Sequence, residues 1–387
     1  NCKWFYIHRD NDEKYIGCIK PKPTSGNGDI DIWNATTGVV CTVTYDAVSW
    51  VGNTAYVVGD RVKSSNKVYE AIVAGTSSSS SAPGTTNNPT ASSIPDGGTL
   101  IWKYINTTGS QDYLTGTRTN YDILTVQDTS IITNNLHTVT AIADPTYKTK
   151  ARAALVLSGS PVGKYNVTIS DIDGSNSASI TEYDSPATAT YDQLLTELES
   201  RINGLNISNL VVTKYDDALH LERNSGNTEF KITASGGVTN DKLNVVQDVV
   251  DNVSQLPFNS VHNRTVKVVN TDSVFDTYWA KFVAEDGVSG RGYWAETVDP
   301  TVSTGLVDTT MPHELINTGT NAFTFRKITW TARKVGDNIT NPQPSFVGAK
   351  IQQSFFHNSR LGLLSKDNVA LSQTQDFYNF YAISAQT

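Results

Sequence analysis

The sequence predicts a mainly β protein whose short-stranded pieces are interrupted by one α+β domain and one small β insert. Three observations carry this expectation. Apolar residues alternate with polar ones in brief runs bounded by turn residues, and one stretch alone repeats at helical spacing. Charged residues are only 18% of the chain, while apolar residues reach 38% and aromatics 9%, a balance that argues against large-scale disorder. At 387 residues the chain is long enough for two or three domains.

Residues 1–48 alternate clearly. Trp4-Phe5-Tyr6-Ile7 passes through a turn at Asp10 to Glu13 into Tyr15-Ile16-Gly17-Cys18-Ile19, and a Pro/Gly/Ser loop leads to Asp29-Ile30-Asp31-Ile32-Trp33. Asn34 to Gly38 then turns the chain into Val39-Val40-Cys41-Thr42-Val43. Residues 106–150 return to this rhythm at Tyr121 to Val126 and Ile131 to Asn134. Short antiparallel strands with tight turns are the pattern of propeller blades or of sandwiches.

Residues 49–105 read as an independent insert. Val62, Val68 and Tyr69 suit two short strands, Gly59 and Asp60 the turn before them, and Ser77 to Ser81 with Pro83 to Pro95 a surface loop. Residues 151–310 read as the α+β domain. Its strands include Ala153 to Leu157, Tyr165 to Ile169 and Leu210 to Thr213, and its helix runs from Tyr191 to Asn203. Leu194, Leu195, Leu198 and Ile202 share one helical face, Thr190 is the expected N-cap, and Gly204 stands where a helix commonly ends.

Residues 311–387 carry the most specific pattern. Pro344-Ser345-Phe346-Val347-Gly348 precedes Phe355-Phe356-His357-Asn358-Ser359-Arg360-Leu361-Gly362-Leu363-Leu364-Ser365, then Asn368-Val369-Ala370-Leu371-Ser372 and Asp376-Phe377-Tyr378-Asn379-Phe380-Tyr381. Read physically, these are two apolar strands about a polar turn from Ser365 to Asn368, followed by an aromatic run that must be buried. Phe355, Phe356, Leu361, Leu364 and Phe380 are expected in the core, although in a regular strand Phe356 or its neighbour points the other way and is the more tolerant of the two. Gly362, Ser365 and Asn368 complete the signature, and Arg360 is expected to bond backbone carbonyls or a carboxylate. None of these residues forms a nucleophile, base or metal-ligand set.

This stretch resembles the signature of the tail nozzle family of short-tailed bacteriophages, also called tail tubular protein B. Met311-Pro312-His313-Glu314-Leu315, Phe323-Thr324-Phe325, Trp330, Tyr278-Trp279-Ala280-Lys281-Phe282 and Gly292-Tyr293-Trp294 follow in the family's order. The resemblance implies an interrupted β-propeller and a structural virion protein of the phage tail. It further implies a homo-oligomer forming a hexameric ring, a tail adaptor protein and tail fibres as partners, and transient passage of genomic DNA during ejection. Family members continue well past Thr387, so it also implies an internal fragment lacking parts at both ends.

The insert resembles a small chitin-binding-type module through Trp50, Tyr56, Tyr69 and Trp102, the candidate contacts for a host-surface glycan. It departs from that family where Glu70-Ala71-Ile72-Val73 replaces a pair of exposed tryptophans. Burial in the module's own core is the favoured placement of Trp50, Tyr56 and Trp102. A carbohydrate-binding adhesin acting through residues 49–105 is the competing function.

Other chemistry finds little support. A net charge of −8 without a basic run argues against a grip on nucleic acid. Cys18 and Cys41 read as small buried strand residues, with no disulfide expected, and the six histidines show no i, i+4 pair. Asp171-Ile172-Asp173-Gly174 begins like a calcium loop but lacks the closing Glu, so a hairpin turn is expected. No phosphate loop, nucleophile elbow or dinucleotide fingerprint occurs, and no cofactor or enzymatic activity is implied. No apolar run reaches the roughly 20 residues of a membrane span.

Overall fold

The computed structural model describes residues 2–10, 12–21, 28–45, 47–58, 60–65, 67–85, 90–96, 99–106, 110–239, 241–269 and 277–384. Gly59 and most of the Pro/Gly/Ser loop lie outside these described residues. Strands dominate, with one α-helix among the described residues. Two compact units divide the chain: Asn1–Ile142 with Gly305–Ala332 and Gln343–Tyr381, and Ala143–Thr304 with Arg333–Pro342 and Ala382–Thr387.

The first unit begins with an antiparallel meander of Lys3–His8, Lys14–Lys20 and Asp29–Asn34. Its period of two buries Ile7, Tyr15, Ile19, Ile30 and Ile32 while Trp4, Tyr6 and Ile16 remain exposed. Contrary to expectation, Cys18 is bonded to Cys2, with Cα atoms 5.7 Å apart. The register explains this: Lys3 opposes Ile19 and Trp4 opposes Cys18, which brings Cys2 diagonally beside Cys18. Cys41 is free and buried.

A five-stranded sheet then gathers three distant segments in the order Tyr121–Val126, Thr129–Asn134, His313–Gly319, Ala322–Lys327, Thr42–Tyr45. The last pairing is parallel, with Phe323 opposite Val43 and Phe325 opposite Tyr45. Tyr121–Val126 with Thr129–Asn134 and His313–Gly319 with Ala322–Lys327 are hairpins joined by short turns, whereas the parallel pair needs a crossover, supplied here by the long intervening chain. Tyr15, Ile32, Tyr121, Ile132, Leu315, Phe323 and Phe325 form the core between this sheet and the meander. Residues from Ile7 to Cys41, from Tyr113 to Ile132 and from Leu315 to Phe325 thus share one hydrophobic core.

The insert emerges directly after the edge strand Thr42–Tyr45. Its sheet runs Ile94–Pro95, Ile101–Asn106, Lys67–Val73, Arg61–Ser64, Val48–Ser49. Trp102 and Tyr69 are 0% exposed, Tyr56 is 7% exposed, and Trp50 packs half-buried against the same cluster. A buried carboxylate directs this arrangement, because Asp96 accepts from the indoles of Trp50 at 3.0 Å and Trp102 at 2.7 Å. Each tryptophan buries its ring without leaving its N–H unpaired.

In the second unit the helix spans Tyr191–Gly204. Thr190 accepts from the Gln193 N–H and the Gln193 side chain accepts from the Thr190 N–H, completing a capping box. Its buried face of Leu194, Leu195, Leu198 and Ile202 packs against two sheets. One runs Leu210–Lys214, Ala218–Arg223, Arg152–Leu157, Leu243–Val246; the other runs Ala178–Ser185, Gly163–Asp171, Phe230–Gly237. Asp171 pairs with Arg223 and accepts from Asn176 within a hairpin turn. A further sheet orders Val249–Val250, Thr265–Val268, Tyr278–Ala284, Ser289–Thr297, Asn259–Val261. It shares Val250, Val266, Val268 and Ala280 with a second core.

Two substitutions separate packing from capping in this unit. Leu198→Ala is expected to destabilise it by about 2–5 kcal/mol, and Thr190→Ala by about 0.5–2 kcal/mol. Urea unfolding followed by circular dichroism measures both, and equal effects would contradict the packing role of the helix face.

Candidate functional site: the signature sheet and its aromatic support

The signature folds as a three-stranded antiparallel meander of Ile351–His357, Arg360–Ser365 and Asn368–Leu371. The polar turn before Asn368 is present, but a second turn divides what reads as one apolar run. Asn358 and Ser359 both adopt positive φ, at 48° and 57°, forming a two-residue hairpin. Asn tolerates that conformation better than most residues, and this was the available signal.

Within the meander the expected core set changes. Leu361 and Leu363 are 0% exposed, whereas Leu364 is half-buried and Phe356 is 38% exposed. A bulge between Ile351 and Gln353 shifts the register of the first strand, and a one-residue slip carries a side chain to the other face. Phe355, half-buried, lays its ring over Gly362, where an added Cβ would come within 2.2 Å of that ring. Phe356 instead meets Phe377 edge to face, with centroids 5.1 Å apart. Arg360 Nη1 reaches the Ser372 carbonyl at 3.4 Å, and the Ser365 hydroxyl donates to the Lys350 carbonyl at 2.9 Å.

Behind the sheet lies an aromatic cluster. Phe346, fully buried, stands perpendicular to Phe380 at 5.2 Å, and Trp330 touches both Tyr378 at 5.5 Å and Phe380 at 5.9 Å. Phe380 is half-buried against the same core, together with Ile351, Leu361 and Leu363. Polar bonds fasten the cluster to the five-stranded sheet. Tyr378 donates to Glu314 Oε2 at 2.7 Å, and Arg326 Nε donates to Glu314 Oε1 at 2.8 Å. Burial and the bond to Glu314 push the Tyr378 hydroxyl well above its ordinary range. The N–H of Ser354 is held by Asp122 at 2.9 Å, linking the signature to the strand Tyr121–Val126.

One feature escaped sequence reasoning altogether. His137, Tyr113 and His313 stack in sequence, with centroids 4.7 and 4.0 Å apart, and His313 also lies on Phe325 at 5.5 Å. His313 Nδ1 bonds the Met311 carbonyl at 2.9 Å. Burial, helped by the nearby Lys327 cation and by the repulsion that protonating both imidazoles would bring, lowers His313 to about 3, and burial also lowers His137. Both imidazoles are therefore neutral around pH 7. The arrangement serves as a joint between segments, and no group of three or more potential metal ligands occurs among the described residues. Of the four aromatic residues expected to contact a glycan, Tyr69 and Trp102 offer no ring face to solvent.

Comparison with known proteins bears on this region directly. The model of the family described as bacteriophage nozzle protein matches residues 101–387, which takes in the whole signature and starts at the last long strand of the insert. The tail tubular protein gp12 of Escherichia phage T7 is 31% identical over 229 residues, covering 59% of this chain. The matched chain spans 27% of that relative's own length.

The geometry separates two phenylalanines that look alike in sequence. Phe346→Ala should cost about 3–5 kcal/mol, and Phe356→Ala under about 1.5 kcal/mol, because only the first empties a closed core. Denaturant midpoints of the two variants measure the difference. The histidine stack sets a pH dependence. His313 stays neutral in the folded state down to about pH 3, whereas the unfolded chain protonates it near its model value of 6.5. The unfolded state binds more protons throughout that window, so stability falls as pH drops below 6.5, by up to about 1.4 kcal/mol per pH unit. Thermal melts between pH 7.5 and 4.5 should show this fall, and His313→Phe should flatten it.

Proposed function

The chain belongs to the bacteriophage nozzle protein family, and from that membership we propose that it builds the wall of a channel at the distal end of a phage tail. It is a structural tail protein of the virion. In the proposed reading six copies form a closed ring, stacked on an adaptor ring and braced by tail fibres, and DNA passes through its centre during ejection. Heterologous contacts that close produce such rings.

The family match across the signature carries this reading. Support comes from the way the first unit is built. Three segments separated by long insertions return to one sheet and one core, and the signature sheet is fastened to that body by buried aromatic rings and by Glu314. A wall that must hold its shape while a polymer moves past benefits from such cross-linking. The meander, the five-stranded sheet and the signature sheet serve as the blade-like pieces of an interrupted propeller. The insert, attached after the edge strand Thr42–Tyr45, decorates the wall without completing it. An acidic balance of −8 suits a conduit, since phosphates are repelled from it and slide.

Native mass spectrometry of the full-length protein with its adaptor should show six nozzle subunits per ring, and a population of monomers and dimers alone would refute the ring. Replacing residues 50–104 by a short Gly/Ser linker should leave that count unchanged. Titrated with duplex DNA at low salt, the ring should show no salt-sensitive affinity stronger than roughly 10⁻⁶ M.

A further inference from the structure

A cleft of about 930 Å³ opens in the first unit between the insert and the edge of the five-stranded sheet. Its volume falls within the roughly 300–1,000 Å³ of small-ligand sites. The insert contributes Arg61 and Glu70, and the opposite wall contributes Tyr45, Glu314, Arg326 and Tyr378.

These side chains are already fixed within their own walls. Arg61 Nε donates to Glu70 Oε2 at 2.9 Å, while Arg326 and Tyr378 both bond Glu314. A ligand entering the cleft therefore finds polar groups whose ordering costs little more. Capacity remains on both sides. The Arg326 terminal nitrogens and Glu70 Oε1 engage no protein group among the described residues, which leaves donors on one wall and an acceptor on the other.

The charge balance narrows the ligand class. Asp60, Glu70, Asp308 and Glu314 face Arg61, Arg326 and Lys327, four acids against three bases. A phosphate or polyanion would need a surplus of cations, and a polycation the reverse. A hydroxyl both donates and accepts, so a chain of sugar rings can use fixed donors and acceptors together, while its C–H faces lie against the tyrosine rings. We propose that this cleft binds a neutral oligosaccharide. Of the four aromatic residues that sequence reading assigned to a glycan, Tyr56 alone borders it. The proposal is independent of the channel reading, and neither fails with the other.

Saturation-transfer NMR and titration calorimetry on the 387-residue chain test it, using tetramers of β-1,4-linked N-acetylglucosamine, glucose and galactose, with neutral hexapeptides alongside. At least one tetramer should bind at millimolar concentration or below. Arg326→Gln should weaken that binding about tenfold or more. Ala55→Trp, at an exposed position on the cleft wall, should abolish it while leaving the melting temperature unchanged. Failure of every tetramer to bind, binding that survives Ala55→Trp, or binding of the hexapeptides alone would overturn the proposal.

Discussion

The core between the meander and the five-stranded sheet depends on Thr42–Tyr45 lying parallel to Ala322–Lys327. This pairing joins residues 280 apart, as in the 2.8 Å bond between the hydroxyls of Thr44 and Thr324. Closing so long a loop costs less than its length suggests, because the entropy grows only with the logarithm of length, about 0.6 kcal/mol per doubling. What makes the closure worthwhile is burial. Phe323 and Phe325 enter the same core as Tyr15, Ile30 and Ile32, so the late strand completes a hydrophobic layer that the early strands cannot close alone. The Asn34 amide donates to the Asn321 side chain at 2.9 Å and marks the same junction with a polar contact.

A second layer of constraint is electrostatic. His313 and Glu314 are neighbours on one strand, and alternation sends them to opposite faces. His313 enters a buried ring stack, and burial keeps its imidazole neutral around pH 7, while the two carboxylate oxygens of Glu314 are bonded by Arg326 and Tyr378. A buried carboxylate without such partners would be costly. One strand thereby ties the Tyr113–His137 segment on one side to the signature's aromatic run on the other. The same Glu314 lies in the wall of the cleft, so the architecture and the proposed ligand site draw on one set of bonds.

Much of this was legible locally. The helix was readable from its Thr190 cap and its four leucine and isoleucine positions, because both signals are confined to one turn or one face. The local sheet and core that gather around Trp102 coincide with a stretch whose composition and turns break the surrounding rhythm. Long-range pairing was not readable: nothing in the residues of Thr42–Tyr45 distinguishes a parallel partner at 322 from an antiparallel neighbour. The Cys2–Cys18 bond escaped because a separation of 16 residues carries no motif, and only the hairpin register brings the two thiols together. At the signature, expecting both Leu361 and Leu364 inside breaks the period of two that a strand obeys. Leu363, two residues from Leu361, takes the inner place instead. The stacked histidines were invisible, since their neutrality follows from burial and not from spacing.

The distant partnership of Thr42–Tyr45 also bears on synthesis. A ribosome adds on the order of 5–20 residues per second, so this strand is made roughly 14 to 56 seconds before Phe323. For that interval its backbone has an unfilled edge, and an open edge invites pairing with whatever chain is nearby. The insert follows at once and closes its core around Asp96 using only its own residues, so it needs nothing from the later chain to fold. The insert thus closes early, while the neighbouring strand still waits for its partner.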